Sequence, residues 1–247
     1  MFRVLALAVA AIVVSPMAQA ATVQLSPVAD NTLFEDEGGA LSNGAGEYSF
    51  VGVTAMNLRR RALTRFDFSL IPAGSTITGV TLRLNMSRGV SSPTIVTLHR
   101  ALSAWGEGTS DAENEEGTGA PSTPGDATWK HTVFNTATWT TPGGDFDQII
   151  ASAVNVGGTG FYTWPSTPLL VAQAQAMLDA PVGNFGWLLL GDESSSPTAK
   201  RFDTRENAAA GNRPVLSVDY VIPAPGCTAL LGGAALLLGR RRRRGIV

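Results

Sequence analysis

The feature that most restricts the fold of this 247-residue chain is an apolar pattern of period two that recurs through its middle. Val80, Leu82, Leu84 and Met86 alternate with Thr81, Arg83 and Asn85. Neighbouring residues of a strand face opposite sides of a sheet, so this spacing predicts strands with one buried face. The same alternation runs through Ala62 to Phe68, with Phe66 and Phe68 on one side and Arg65 and Asp67 on the other, and through Leu216, Val218 and Tyr220. Turn-forming clusters separate these runs: Gly38-Gly39, Pro72-Ala73-Gly74, Pro142-Gly143-Gly144 and Gly157-Gly158. One stretch departs from the rule. From Pro168 to Ala180, Leu170, Val171, Ala174 and Leu178 fall on one helical face and Pro181 ends the run, which predicts a single short helix packed on the sheet. Many short strands and one helix predict an all-β chain, a jelly-roll-type β-sandwich in one domain over residues 21 to 222. Between Gly106 and Ala127 the chain carries Glu107, Asp111, Glu113, Glu115, Glu116 and Asp126 without a Lys or Arg. This segment is expected to be a long loop, either mobile or functional.

The two ends follow different rules. Arg3 precedes an apolar run from Val4 to Val14, and Ser15-Pro16-Met17-Ala18-Gln19-Ala20 follows it. Charge, apolar run and small residues in that order predict a signal helix in residues 1 to 20, cut after Ala20 by a signal peptidase. At the other end Pro223-Ala224-Pro225-Gly226 leads into the apolar run from Cys227 to Gly239 and then into Arg240 to Arg244. That run is shorter than the ~20 residues of a comfortable membrane span, yet counted back to Val221 it just crosses, with the arginines on the cytoplasmic side. The expected protein is exported, surface-destined and transiently held in the membrane by a hydrophobic helix in residues 223 to 247. Without Arg3 and the five tail arginines, the body keeps 12 basic and 20 acidic residues, a net charge of about −8. Such a body disfavours nucleic acid as a partner. The one cysteine, Cys227, lies in the tail, so the body has neither a disulfide nor a thiolate metal site.

The tail resembles the PEP-CTERM class of bacterial sorting signals, with Pro223-Ala224-Pro225 carrying Ala where the class usually has Glu. The resemblance implies processing by a sorting protease, then surface attachment or release. Within the body, a series of motifs stands in order. Asp30-Asn31-Thr32-Leu33-Phe34-Glu35 comes first, then Arg61-Ala62-Leu63-Thr64-Arg65-Phe66-Asp67 leading to Ile71-Pro72-Ala73-Gly74. Trp105-Gly106-Glu107-Gly108, Thr128-Trp129, Trp139 to Phe146 and Gly183-Asn184-Phe185-Gly186-Trp187 follow. Lys200-Arg201-Phe202-Asp203-Thr204-Arg205-Glu206-Asn207 and the stretch from Asn212-Arg213-Pro214 to Tyr220 close the series. Together these motifs resemble the DNRLRE family of exported bacterial domains, related to alginate-type carbohydrate-binding modules. The resemblance implies a β-sandwich found beside polysaccharide-active enzymes and on surface proteins, usually without catalysis of its own. Thr32 and Phe34 stand where the family name has arginines, and fold carries over more securely than ligand.

Residues suited to chemistry are few. His99 and His131 are the only histidines, and the sequence has no His-Glu-x-x-His, Gly-x-Ser-x-Gly or phosphate-loop pattern. The carboxylates of Asp192-Glu193 and Asp203/Glu206 are available for a glycosidase-type pair, but isolated loop acids are more often solvated or ion-paired than catalytic. A non-enzyme is therefore expected. Hard oxygen ligands on exported jelly-roll loops suit a structural calcium, for which Asp30, Glu35, Asp36 and Asp192 are the candidates. Of the five tryptophans, Trp187 precedes Leu188-Leu189-Leu190 and reads as core. Trp105, Trp139 and Trp164 adjoin Gly or Pro turns and are expected to reach a rim, where an indole face can stack on a pyranose. Arg201, Asp203 and Arg205 alternate on one strand face and either satisfy one another or leave a guanidinium free for a uronic-acid carboxylate. Arg59, Arg60 and Arg61 are the other basic cluster of the body. The expected function is a non-catalytic surface or matrix protein that binds an acidic polysaccharide. A purely structural or adhesive module without a sugar site and a secreted polysaccharide-degrading enzyme are the alternatives.

Overall fold

The protein was described as a computed structural model covering residues 18–90 and 92–224. Most of the expected signal helix and all but the start of the hydrophobic tail lie outside the described residues. The strands are β1 (Gln19–Leu25), β2 (Pro27–Phe34), β3 (Leu41–Ser42), β4 (Tyr48–Val53), β5 (Arg59–Phe66), β6 (Thr76–Gly89), β7 (Thr94–Arg100) and β8 (Ala120–Pro121). They continue with β9 (His131–Val133), β10 (Ala137–Thr138), β11 (Ser152–Val156), β12 (Gly160–Trp164), β13 (Trp187–Leu190), β14 (Lys200–Asp203) and β15 (Val215–Ile222). A single α-helix, α1 (Pro168–Asp179), stands between β12 and β13.

All the pairings are antiparallel, and they form an all-β sandwich of jelly-roll kind from one large curled sheet. Its first layer is built on β6, which borders β15 along Thr76 to Arg83, β12 along Leu82 to Met86 and β14 along Met86 to Gly89. β1 adds to β15, with Ala21 opposite Tyr220 and Leu25 opposite Leu216, so cleavage after Ala20 would leave this pairing in place. The second layer runs β2-β5-β13-β7-β11. β4 belongs to both layers: Tyr48 to Val51 pair with β14, and Gly52 and Val53 pair with β5. The switch falls at Gly52, whose φ of +91° suits a residue without a side chain.

The alternation that predicted the strands also builds the core. Val80, Leu82, Leu84 and Met86 are buried, and with Phe66, Leu98, Trp164, Trp187, Phe202 and Leu216 they fill the space between the layers. The predicted helix is present. Thr167 caps it by accepting from the Leu170 amide at 3.0 Å, Pro168 opens its first turn, and it ends before Pro181. Its buried residues are Leu170, Gln173, Ala174 and Met177, while Val171 and Leu178 are half-buried. Gln173 enters the core with its Oε1 taking the Trp187 indole N–H at 2.9 Å, while its Nε2 is buried without a partner among the described residues.

A second, smaller core lies under the loops. Ala29, Leu33, Leu63 and Leu188, from β2, β5 and β13, are covered by Trp105, Ala127, Trp129 and Trp139. The segment expected as a long loop, 106 to 127, does lack extended strands, and its acids fasten it to backbone donors. Glu116 is buried and accepts from Asn43 Nδ2 at 2.7 Å and from the amides of Tyr48 and Glu47 at 2.9 and 3.1 Å. Glu107 accepts from the Asp30 amide at 2.8 Å, and its backbone carbonyl takes Asn31 Nδ2 at 2.8 Å. An acidic run without basic neighbours in sequence thus finds donors on other elements, in the main chain and Asn43 for Glu116 and in the main chain and Arg205 for Glu107.

Candidate functional site

The arginines of β5 divide between two faces because strand side chains alternate. Arg61 is buried under the loop layer. Its guanidinium makes two bonds to Glu193, at 2.8 and 2.9 Å, donates to the Gly143 carbonyl at 2.8 Å, and lies 4.9 Å from the Trp129 ring and 5.3 Å from that of Phe146. Arg59, on the same face, is more exposed and sits 3.5 Å from Glu35. Arg60 points the other way, 4.8 Å over the Phe34 ring, and donates to the carbonyls of Arg59 and Glu35 at 2.8 and 3.4 Å. Its Nε is buried without a partner, and burial pulls its pKa below the ordinary arginine value.

Arg60 reaches a depression that β14 and the end of β6 complete. Arg201 stands opposite Arg88 on β6 and opposite Phe50 on β4. Phe50, Arg60, Arg88, Glu115, Lys200 and Arg201 line this space of about 220 Å³, with Gly89 and Gly117 at its margin. The two basic clusters that are far apart in the sequence therefore meet here through Arg60 and Arg201. Arg201 packs 3.7 Å from the centre of the Tyr48 ring and donates to Ser87 Oγ at 3.1 Å. Its guanidinium and that of Arg88, the latter at 2.6 Å, both hold the Glu115 carboxylate. Those hydrogen bonds, that from Arg88 first, keep Glu115 below the usual carboxylate range. Lys200 is 1% exposed and donates to the carbonyls of Ser92, at 2.8 Å, and Val90. No carboxylate pairs with it among the described residues, and burial lowers its pKa.

Two larger depressions, about 630 and 570 Å³, lie on the other side of β5 and share Arg59 and Pro142. The first is lined by Glu35, Asp36, Glu37 and Glu193 against Arg59 and Lys130, with Trp129 in its wall. The second is lined by Arg59, Arg61, Asp145 and Phe146 among others. Their charges are mixed, whereas in the smaller depression Arg88 and Arg201 hold one carboxylate, and the buried Arg60 and Lys200 donate to backbone carbonyls.

Several expected site residues stand elsewhere. Arg205 does not extend the row of Arg201 and Asp203, because β14 stops at Asp203 and the chain turns. Asp203 accepts from Asn85 Nδ2 at 2.7 Å, while Arg205 makes two 2.8 Å hydrogen bonds to Glu107 and its Nε also lies 2.8 Å from Glu206 Oε1 as an ion pair. The acids expected to share a metal do not converge as a set. Glu35 accepts from the Arg59 amide at 2.7 Å, Asp36 from the Ala40 amide at 3.2 Å, and Asp192 from the amide and hydroxyl of Ser194 at 2.9 and 2.6 Å. Asp30 alone meets other carboxylates, those of Glu107 and Glu206, with an oxygen from each within 4.8 Å of the others. Of the two carboxylate pairs, Glu193 is spent on Arg61, and Asp203 and Glu206 go to different partners.

The tryptophan expectation is corrected. Trp105, Trp139 and Trp164 are 4%, 5% and 0% exposed, so none offers a ring face to a sugar. Each indole N–H is spent on an inner carbonyl, Phe185, Thr128 and Val96 respectively, at 2.8 to 2.9 Å. Adjacent turns do not bring these rings to a rim: Trp105 and Trp139 fill the gap under the loops that fold over β2-β5-β13, and Trp164, on β12, packs between the two layers. Trp187 is buried as expected. Trp129, which stands in the motif series but was not among the expected site residues, is the indole that borders a depression. Nothing in its immediate sequence marks it.

No protein-family model matches the chain, and no curated protein matches it.

Proposed function

We propose that the chain is a non-catalytic exported surface protein whose β-sandwich binds an acidic polysaccharide, with the depression between Arg60, Arg88, Lys200 and Arg201 as a subsite for one sugar carboxylate. The observation that carries this reading is the convergence of two guanidinium groups, Arg88 and Arg201, on one carboxylate at a concavity also lined by Arg60 and Lys200, in a body whose net charge is about −8. Glu115 supports it further, since its carboxylate already occupies the Arg88 and Arg201 guanidinium groups as a uronate would. The signal-like start, the sorting-type tail and the ordered motifs of the body agree with a surface role. A purely structural module is favoured by one observation, the burial of the tryptophans expected to stack on sugars.

Two variants with opposite effects test the subsite. Arg88 has a side chain 62% exposed, so Arg88→Gln leaves packing intact and should weaken alginate binding about threefold to tenfold, the scale of an exposed charge contact. Glu115→Gln removes the resident competitor and should tighten binding by a similar factor. The measurement is affinity electrophoresis in alginate-containing gels, with a neutral β-glucan gel as the control. Unchanged mobility of both variants would place binding elsewhere, and no retardation of the parent protein would favour the structural module.

A further inference from the structure

Asp30 is 3% exposed, and its place at the middle of β2 commits it to the space where the 106–127 loop and the turn after β14 meet. Three carboxylates gather there, from Asp30, Glu107 and Glu206, against the single guanidinium of Arg205. Two negative charges are left without a counter-charge in a poorly hydrated spot. The hydrogen bonds expose the same deficit atom by atom. Asp30 Oδ2 accepts from the Arg205 amide at 3.0 Å and Glu206 Oε1 pairs with Arg205 Nε at 2.8 Å. Asp30 Oδ1 and Glu206 Oε2 are buried and have no partner. A buried carboxylate oxygen left bare is costly, so a native structure that keeps two of them side by side points to a cation that they share.

We propose that Asp30, Glu107 and Glu206 hold one calcium ion, which ties β2 to the first turn of the 106–127 loop and to the turn after β14. The donor set is all oxygen, without His or Cys, which suits a hard cation rather than zinc. One oxygen from each side chain lies within 4.8 Å of the others, a spacing that calcium bonds of about 2.3–2.6 Å come closer to spanning than magnesium bonds of about 2.0–2.1 Å in a strict octahedron. A divalent ion cancels both surplus charges and engages both bare oxygens, while one shared proton would cancel only one charge. The site is distinct from the basic depression and does not rest on glycan binding.

The test uses the full chain as isolated, stripped with a chelator, with calcium chloride as the only probe. Calorimetry should give one calcium per chain, and the melting temperature should rise by about 5–10 °C at a hundredfold excess over Kd. Glu206→Gln, which preserves side-chain shape, should lower calcium affinity about tenfold or more, since ligand charge sets affinity in such sites. Absence of binding heat together with an unchanged melting temperature in the parent protein would overturn the proposal. So would calcium affinity that is unaltered in both Glu206→Gln and Glu107→Gln. If Glu206→Gln does not fold, Glu107→Gln and the parent protein's stoichiometry decide the matter.

Discussion

His99 shows how burial sets a charge state at a single residue. It is 4% exposed, with Nδ1 2.8 Å from the Asp147 carbonyl and Nε2 2.9 Å from Thr97 Oγ1. A carbonyl can only accept, so Nδ1 carries the proton and donates, while the one Thr97 hydroxyl hydrogen is shared between Nε2 and the Leu190 carbonyl, 3.2 Å away. Desolvation is the largest influence on this ring and lowers its pKa. A histidine depressed in the folded state contributes stability that is complete above the unfolded pKa near 6.5 and is lost as pH falls through the folded value. The midpoint of the His99 ring in an NMR titration should therefore lie below that of a free imidazole. A midpoint above about 6.5 would contradict the assigned bonding. The sequence names His99 as one of only two histidines and gives it no chemical role. It could not place Trp105, Trp139 and Trp164, because whether a turn-adjacent ring meets solvent depends on what folds over it from more distant segments.

At the scale of elements, the two-residue period carried furthest. β5, β6 and β15 lie where alternation predicted strands, and α1 lies where alternation failed, since side-chain direction along a strand or helix is a local property. Less legible was the exchange of β4 between layers, which depends on its pairing with both β14 and β5. Gly52 makes that exchange possible. A Cβ there would meet the Thr198 carbonyl oxygen and hydroxyl at 2.9 Å, on a backbone already at φ +91°. Gly74 also has a positive φ, +79°, but nothing lies within 4 Å of its Cβ position. Gly52→Ala should cost about 2–4 kcal/mol, the sum of backbone strain and a displaced neighbour, and Gly74→Ala about 1 kcal/mol from strain alone. Urea denaturation of the two variants measures the difference. Equal midpoints would show that the switch tolerates a side chain. The candidate site was legible only in part, for the sequence named Arg60 and Arg201 in separate clusters, while Arg88 and Lys200 join them through the pairing of β6, β14 and β4.

For the whole molecule, charge decides how binding can work. A body near −8 repels a polyanion at long range, so attraction must come from a local surplus of cations, and the Arg60–Arg88–Lys200–Arg201 depression supplies one. With the tryptophans of the sandwich buried, ring stacking loses its best candidates and the ionic mode is left as the main route to a glycan. The two modes separate by salt, because screening weakens exposed ion pairs and hardly touches stacking. The most direct test is a titration of alginate and of a neutral β-glucan against the body, residues 21 to 222, at low salt and at ~0.5 M salt, where the Debye length falls to about 4 Å. The account predicts alginate binding at low salt that weakens at least tenfold at the higher salt, with no binding of the neutral glycan; salt-insensitive binding of the neutral glycan alone would contradict it.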